Sequence, residues 1–337
     1  MKKRLAALLL VLALLCGCVP RRAARGLPYM PSVEGSQPEA TPAPTAAPTP
    51  EPTPSLPEGG ALYGSVALLE EPTVLVSVYL NDAATGSVWS REAQDEAKQQ
   101  VAMAVDWINA QAAEYGVQTQ LYCDDGSAGS PLRRTYSVRA RLKGGPTSEE
   151  SNAFLDEMDQ LCATLDTGEL RERYGTDRVG FLLFLPVSGT SFTMAHYAED
   201  GANFYYEYCC LYRYDAYSDQ REPESPATYA HEILHLFGAP DLYAGSSDPY
   251  VDEELSAYVE QTYPDDIMLD TYTPEGTNDY ARIDKVISPL TAYCIGLAAT
   301  CPEQELFPLL AGVEPGVFRY EAGGGQDLWP GSGAVAV

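Results

Sequence analysis

The stretch His231-Glu-Ile-Leu-His-Leu-Phe-Gly-Ala-Pro-Asp241 decides how the rest of the chain is interpreted. His231 and His235 are four positions apart, so on an α-helix both imidazoles lie on one face, one turn from each other. Two imidazoles at this spacing can share a metal ion. Glu232 follows the first histidine and points about 100° round the helix, where its carboxylate can act on a water molecule at the metal.

The end of the stretch predicts a reversal of the chain. Gly238 can take the left-handed conformation that ends a helix, and Pro240 prevents the helix from resuming. The turn can therefore bring Asp241 to the metal as a third ligand, with the fourth position open, as a catalytic zinc site requires. The alternative is a third ligand from a downstream helix, for instance Glu253 or Glu254.

A coincidental pair of histidines on an amphipathic helix is the competing interpretation of this motif. The chain has only three histidines, and two of them at this spacing with Glu between them have a chance expectation of roughly 10⁻³. The third, His196, could be a metal ligand or a substrate contact. A lone histidine has many non-functional uses, so an exposed or structural role is favoured for it.

Residues 231–241 resemble the active-site motif of the metzincin zinc peptidases, H-E-x-x-H-x-x-G-x-x-H, in the variant with Asp in place of the last His. Immune-inhibitor-A-type peptidases and snapalysin are similar, the former also in the continuation Gly-Ala-Pro-Asp-Leu-Tyr at 238–243. The resemblance covers the rest of the chain only in outline. It implies three zinc ligands and one general base: His231, His235 and Asp241, and Glu232.

Metzincins also have a turn beyond the third ligand, whose methionine forms an apolar floor under the metal. Asp266-Ile-Met-Leu269 is the candidate for this turn, with Met268 in that role. A methionine that only fills the core is the alternative. Tyr272 follows Met268 by four residues, whereas related enzymes place a tyrosine two residues on, so its part in the site stays open.

The N-terminal residues have the layout of a bacterial lipoprotein signal peptide over 1–18. Lys-Lys-Arg precedes an apolar run from Leu5 to Leu15 that is too short to span a bilayer comfortably, and Cys18 is the expected lipidated residue. Ordinary signal cleavage with full secretion is the alternative. Residues 19–59 are rich in Pro and Thr and read as an unfolded linker. The expected location is the cell surface, with a lipid anchor in the membrane.

The strongly acidic composition limits the classes of partner. A formal net charge of −27 argues against nucleic acid and against electrostatic binding to anionic lipid. Calcium could bind the acidic clusters at Asp248, 252–254 and 265–266. Because these clusters lack EF-hand spacing, a solvated face is favoured for them.

The order of predicted elements indicates an α/β (α+β) fold for residues 60–300, followed by a C-terminal extension over 301–337. Strands are expected at 72–80, 117–123, 179–187, 192–197 and 203–214, and helices at 90–115, 148–165 and from 225 onwards. This order is similar to the upper subdomain of metzincins. The resemblance to metzincins implies a two-subdomain, zincin-like domain with a mixed sheet, an active-site helix and a Met-turn.

The expected function is that of a zinc-dependent endopeptidase acting on peptide or protein substrates. Glu232 would serve as general base, and a substrate could pair with an edge strand near 191–197. One alternative is a non-catalytic surface lipoprotein that binds a ligand on a peptidase-like scaffold, although the intact Glu232 argues against it. Another is a zinc amidohydrolase that acts on a non-protein amide.

Overall fold

The computed structural model describes residues 66, 68–127, 129, 132–139, 148–196, 207–216, 221–246, 248, 250–311, 313, 315 and 334–336. The expected signal peptide and linker, at 1–18 and 19–59, lie outside these residues, so Cys18 does too. Within the described part of the chain, no helix has both the length and the apolar character needed to cross a membrane.

Seven strands and seven α-helices make up the described elements. The strands are β1 (Thr73–Asp82), β2 (Leu121–Asp124), β3 (Thr135–Val138), β4 (Val179–Gly189), β5 (Phe192–His196), β6 (Tyr208–Asp215) and β7 (Ala334–Ala336). The helices are α1 (Arg91–Glu114), α2 (Ser148–Ala163), α3 (Gly168–Tyr174), α4 (Pro226–His235), α5 (Glu253–Thr262), α6 (Pro289–Cys294) and α7 (Glu303–Leu306), followed by a 3₁₀ turn at Pro308–Leu310.

All seven strands belong to one mixed sheet, mostly parallel, in the order β2-β1-β4-β6-β5-β7, with β3 beside the far part of β1. Strands β1, β2, β3, β4 and β6 pair in parallel, whereas β5 is antiparallel to both β6 and β7. Central strands β1 and β4 are almost entirely buried, as expected for apolar runs in a parallel sheet covered on both faces. The structure confirms the mixed α/β class.

Helices cover both faces of the sheet, and the alternation of side chains along each strand assigns them. Leu75 and Tyr79 of β1 share a core with α1 and α4, and this core also takes in buried side chains from α5, α6 and the segment 301–313. Val74 and Val76, which point to the opposite face, pack with α2 and α3 instead. The predicted active-site helix therefore lies on the α1 side of the sheet.

The predicted helix boundaries follow from capping side chains. Ser90 caps α1 by accepting a hydrogen bond from the backbone N–H of Ala93, and Ser225 caps α4 by accepting one from Thr228. Pro226 occupies the first turn of α4, where its missing N–H costs nothing. Gly116, at φ 78°, follows the end of α1 as predicted.

Strand β2 is shorter than predicted, because residues 117–120 are not part of it. The side-chain amide of Asn109 in α1 donates to the Leu121 carbonyl at 3.1 Å and accepts from the Leu121 N–H at 3.3 Å. A helix side chain therefore holds the start of β2. Strand β3 and helix α3 were not predicted.

The expectation that residues 191–197 form an open edge strand is wrong in this structure. β5 pairs with β6 through Phe192, Thr193 and Met194, and its other edge pairs with β7, with Met194, Ala195 and His196 opposite Ala336, Val335 and Ala334. The physical reason is that an uncovered strand edge offers unpaired N–H and C=O groups, which a later segment of the chain can satisfy.

The interpretation of Asp266 as part of a solvated acidic face is also wrong. Its side chain is fully buried, and its carboxylate accepts hydrogen bonds from the Met268 N–H at 2.6 Å, the Ser288 N–H at 2.9 Å and the Thr291 hydroxyl at 2.7 Å. Burial raises the pKa of this carboxyl group, and the hydrogen bonds act in the opposite direction. Asp266 therefore ties the 267–269 turn to the first turn of α6.

Candidate metal centre

The predicted ligands His231, His235 and Asp241 come together in the core. The two Nε2 atoms are 3.1 Å apart, and Asp241 Oδ1 lies 3.1 Å from that of His231 and 3.4 Å from that of His235. Tetrahedral ligands at zinc bond lengths of about 2.0–2.1 Å lie roughly 3.3 Å from one another. The spacing of these three atoms, and their chemistry, therefore fit a zinc ion.

Both histidines present the same ring nitrogen to the cluster because their other nitrogen is held by a backbone carbonyl. His231 Nδ1 lies 3.0 Å from the Ile267 carbonyl oxygen, and His235 Nδ1 lies 2.6 Å from that of Ala239. A carbonyl oxygen only accepts hydrogen bonds, so each Nδ1 donates. This arrangement leaves Nε2 of each neutral ring with the lone pair that a metal needs.

The chain reversal after α4 occurs through Gly238, as the sequence predicts. The Gly238 N–H donates to the His235 carbonyl at 3.0 Å and the Ala239 N–H to the Leu234 carbonyl at 3.2 Å, with Gly238 at φ 94°. These two bonds form a Schellman motif, which requires a left-handed residue at the position of Gly238. The same turn aims the Ala239 carbonyl back at His235.

Asp241 is oriented by two side chains that were not predicted as part of the site. The Tyr243 hydroxyl donates to Asp241 Oδ2, while Oδ1 faces the imidazoles. Asp248 Oδ2 accepts a hydrogen bond from the backbone N–H of Asp241 at 2.8 Å. Burial, reinforced by the charge of Asp241, raises the pKa of Asp248 to about 6. Asp248 thus holds the backbone of the turn at Asp241, whereas the sequence predicts a solvated residue.

The pKa values of His235 and Asp241 show that the buried Asp241 carboxylate is stabilised by a positively charged neighbour. Burial disfavours the charged form of His235, yet the Asp241 carboxylate and its hydrogen bond raise the pKa of His235 to about 9. Burial would raise the pKa of Asp241, but the two histidines hold it well below its usual range. A proton or a metal ion can supply the positive charge that the carboxylate requires.

Glu232, the predicted general base, is buried beside the triad. Its Oε2 lies 3.0 Å from the hydroxyl of Thr193 on β5. Its Oε1 is buried and has no hydrogen-bond partner among the described residues. Thr193 was missed from the sequence, because its neighbour in space depends on strand pairing. Only its place in a predicted strand, whose side chains alternate between the two faces of the sheet, could have indicated a buried hydroxyl.

The predicted Met-turn lies directly against the cluster of His231, His235 and Asp241. The Ile267 carbonyl binds His231, and the Met268 carbonyl accepts a hydrogen bond from the Leu242 N–H, one residue after Asp241, at 3.0 Å. The Met268 side chain is fully buried. Its role as an apolar floor remains a prediction, but the turn that carries it connects both sides of the cluster.

Other candidate residues lie elsewhere in the described structure. Glu253 and Glu254, the alternative third ligands, are exposed in the first turn of α5 and do not belong to the clustered triad. The Tyr272 hydroxyl lies 3.4 Å from a carboxylate oxygen of Asp215, at the end of β6. His196 is in β5, with its backbone paired to Ala334.

Comparisons with known proteins leave the family open. No protein-family model matches the chain, and no curated protein matches it. Among solved structures, one match is described as the structure of a chaperone-substrate complex, at 14% sequence identity and a TM-score of 0.25. It covers 67% of this chain, which spans only 33% of that one. A likeness at this level supports no conclusion about fold or function.

Asp241→Ala tests the ligand set. Zinc bound per protein molecule at neutral pH should fall clearly, because two imidazoles remain where three ligands were. Glu253→Ala and Glu254→Ala are matched controls, since each removes an acidic side chain outside the cluster, and both should bind zinc like the wild type. The measurement is zinc content after equilibrium dialysis. Full zinc loading of Asp241→Ala would exclude it as a ligand.

Proposed function

We propose that this chain is a zinc-dependent endopeptidase of the metzincin type, with zinc held by His231, His235 and Asp241 and with Glu232 as the general base. The observation that carries the proposal is the convergence of Nε2, Nε2 and Oδ1 to within 3.4 Å of one another. The arrangement of an active-site helix, a chain reversal and a turn at Met268 supports the metzincin assignment. The two-subdomain organisation around a cleft belongs to the same proposal.

The chemistry proposed for this site needs two functions from the metal and two from the protein. When bound, Zn²⁺ would polarise a substrate carbonyl and lower the pKa of a water molecule towards 7. Glu232 accepts a proton from the attacking water at its carboxylate. It then passes that proton to the amine nitrogen as the C–N bond breaks, so the products are a carboxylate and an amine.

Hydrogen bonds within the protein fix the orientation of the three proposed metal ligands. His231 and His235 are fixed by the carbonyls of Ile267 and Ala239, and Asp241 by Tyr243. Preorganised groups stabilise a transition state better than mobile ones, because they need not reorganise during the reaction. Since Asp241 adds negative charge to the ligand set, the metal should be a weaker Lewis acid here than with three neutral imidazoles.

Replacement of Glu232 by Gln tests the reaction directly. We expect zinc content and fold to be retained while kcat falls by about 10²–10⁴, since general bases contribute on that scale. Cleavage of a broad peptide mixture, followed by mass spectrometry, is the readout. Chelator-treated wild type, before and after zinc is restored, is the control for metal dependence.

The outcomes of this assay also separate the alternatives. Undiminished cleavage by Glu232→Gln would exclude the proposed base. A zinc-loaded wild type that cleaves no peptide would contradict the endopeptidase proposal and favour either a non-catalytic ligand-binding protein or a zinc amidohydrolase. Hydrolysis of non-protein amides by that same preparation would distinguish the second of these.

Access of a peptide to the site is expected to involve β5. The three proposed metal ligands and the proposed base Glu232 are almost completely buried, with 4% or less of each side chain exposed. β5 carries Thr193, which contacts Glu232, and the edge of β5 from Met194 to His196 is taken by β7. We propose that an extended substrate pairs with this edge and displaces β7.

A proline in β7 tests this competition. Val335→Pro removes a backbone donor and disfavours strand pairing, so kcat/KM for peptides should rise. Val335→Ala is the matched control, because it shortens the side chain but keeps the backbone N–H, and its kcat/KM should stay at the wild-type value. Equal kcat/KM in both variants would show that the substrate does not use this edge.

We also propose that the protein works at the bacterial cell surface, held in the membrane by a lipid on Cys18. The supporting observation is the basic, apolar and Cys-Gly-Cys layout of residues 1–18. Cys18→Ala should release the protein from the membrane fraction, as measured by ultracentrifugation and immunoblotting. Retention in the membrane would point to a different attachment.

A further inference from the structure

Two side chains on neighbouring strands converge on Glu232 from beneath α4. Thr193 of β5 and Cys209 of β6 are directly opposite each other in the antiparallel pair, so they point to the same face of the sheet. The Thr193 hydroxyl lies 2.7 Å from the backbone carbonyl of Glu232, and the Cys209 sulfur lies 3.3 Å from the same oxygen. Both residues are fully buried.

The Thr193 hydroxyl has two oxygen acceptors within reach and only one proton. They are the Glu232 carbonyl at 2.7 Å and the carboxylate Oε2 at 3.0 Å. Cys209 can resolve this competition, because burial raises the pKa of its thiol, which therefore stays protonated and can donate to the carbonyl. The hydroxyl proton is then available to the carboxylate.

The two oxygens of the Glu232 carboxylate have different surroundings. Oε2 is within hydrogen-bond distance of Thr193, whereas Oε1 is buried without a hydrogen-bond partner in the described part of the chain. A buried carboxylate oxygen that lacks a donor is costly, so its retention calls for an explanation. Accepting a proton from water is one such explanation, and a hydrogen bond to the other oxygen would orient the carboxylate for it.

We propose that Thr193, supported by Cys209, is a positioning residue that holds Glu232 by Oε2, so that Oε1 is the atom that accepts the proton. The role rests on the proposed peptidase function. In this role, Thr193 contacts neither the substrate nor the metal ligands. It acts only by orienting Glu232. Its loss should therefore affect the rate of the chemical step more than substrate binding.

Substitutions that separate the hydroxyl from the shape of the side chain provide the kinetic test. Thr193→Val removes the hydroxyl from a side chain of similar volume, and kcat should fall by about 10–100-fold, as for loss of other partners that orient a site, with KM and zinc content nearly unchanged. Thr193→Ser restores the hydroxyl and should recover most of kcat.

Ser191→Ala is the matched control on the same segment. Ser191 is buried, and its hydroxyl accepts a hydrogen bond from the Tyr212 N–H at 3.1 Å, so this change removes a buried hydroxyl that binds β6 instead of Glu232. Its kcat should remain at the wild-type value. Equal losses of kcat in Thr193→Val and Ser191→Ala, or no recovery in Thr193→Ser, would overturn the proposal.

A second measurement tests the contact without relying on activity. In metal-free protein, the shift in the urea unfolding midpoint of Thr193→Val combined with Glu232→Ala should be smaller than the sum of the single shifts, because both changes remove the same hydrogen bond. After Glu232→Ala the Thr193 hydroxyl can still donate to the backbone carbonyl at position 232, so the cycle measures how much more the carboxylate binds this proton than the carbonyl does. Ser191→Ala with Glu232→Ala should be additive.

The kinetic measurement and the unfolding cycle test the role of Thr193 separately from the peptidase function. A non-additive unfolding cycle in a protein that cleaves no peptide would support the hold of Thr193 on the Glu232 carboxylate while contradicting the peptidase function. An additive cycle in an active peptidase would overturn the role of Thr193 and leave the peptidase function intact.

Discussion

Two imidazole nitrogens and one carboxylate oxygen meet in the interior of this protein, and the surrounding structure depends on their charge being balanced. A buried carboxylate is expensive unless a cation or several donors accompany it. The raised pKa of His235 and the lowered pKa of Asp241 reflect this need for positive charge. A zinc ion would satisfy the same demand while both rings stay neutral, which links metal binding to the loss of protons.

The fold positions the three candidate ligands by using different segments of the chain. Helix α4 spaces the two histidines, and the Schellman turn at Gly238 brings the chain back towards them. The turn at 267–269 supplies the carbonyl that fixes His231, and Asp266 secures that turn to α6 through three hydrogen bonds. The site therefore joins the sheet region to the segment that follows α5, and neither could form it alone.

The local parts of this arrangement were predictable from the sequence. The His231 and His235 spacing, the end of the helix at Gly238 and the approach of Asp241 follow from helix geometry and from the conformational freedom of glycine. Strands β1 and β4 follow from their continuous apolar runs. These features depend on neighbouring residues in the chain, so periodicity and turn chemistry suffice to predict them.

The parts that were missed depend on contacts between distant segments. Thr193 meets Glu232 only because β5 pairs with β6, and Asp266 is buried only because α6 packs over its turn. Acidic residues outside a recognisable motif are predicted to be solvated. Asp266 is nevertheless buried and accepts hydrogen bonds from two backbone N–H groups in the core. β5 and β7 are far apart in the sequence, and no local sequence pattern predicts that they pair.

X-ray absorption at the zinc edge of the zinc-loaded protein measures which atoms bind the zinc ion that we propose for His231, His235 and Asp241. We expect one zinc per molecule, with only nitrogen and oxygen neighbours at about 2.0–2.1 Å and the outer-shell scattering of two imidazole rings. Sulfur neighbours near about 2.3 Å, or the signature of fewer than two imidazoles, would contradict it.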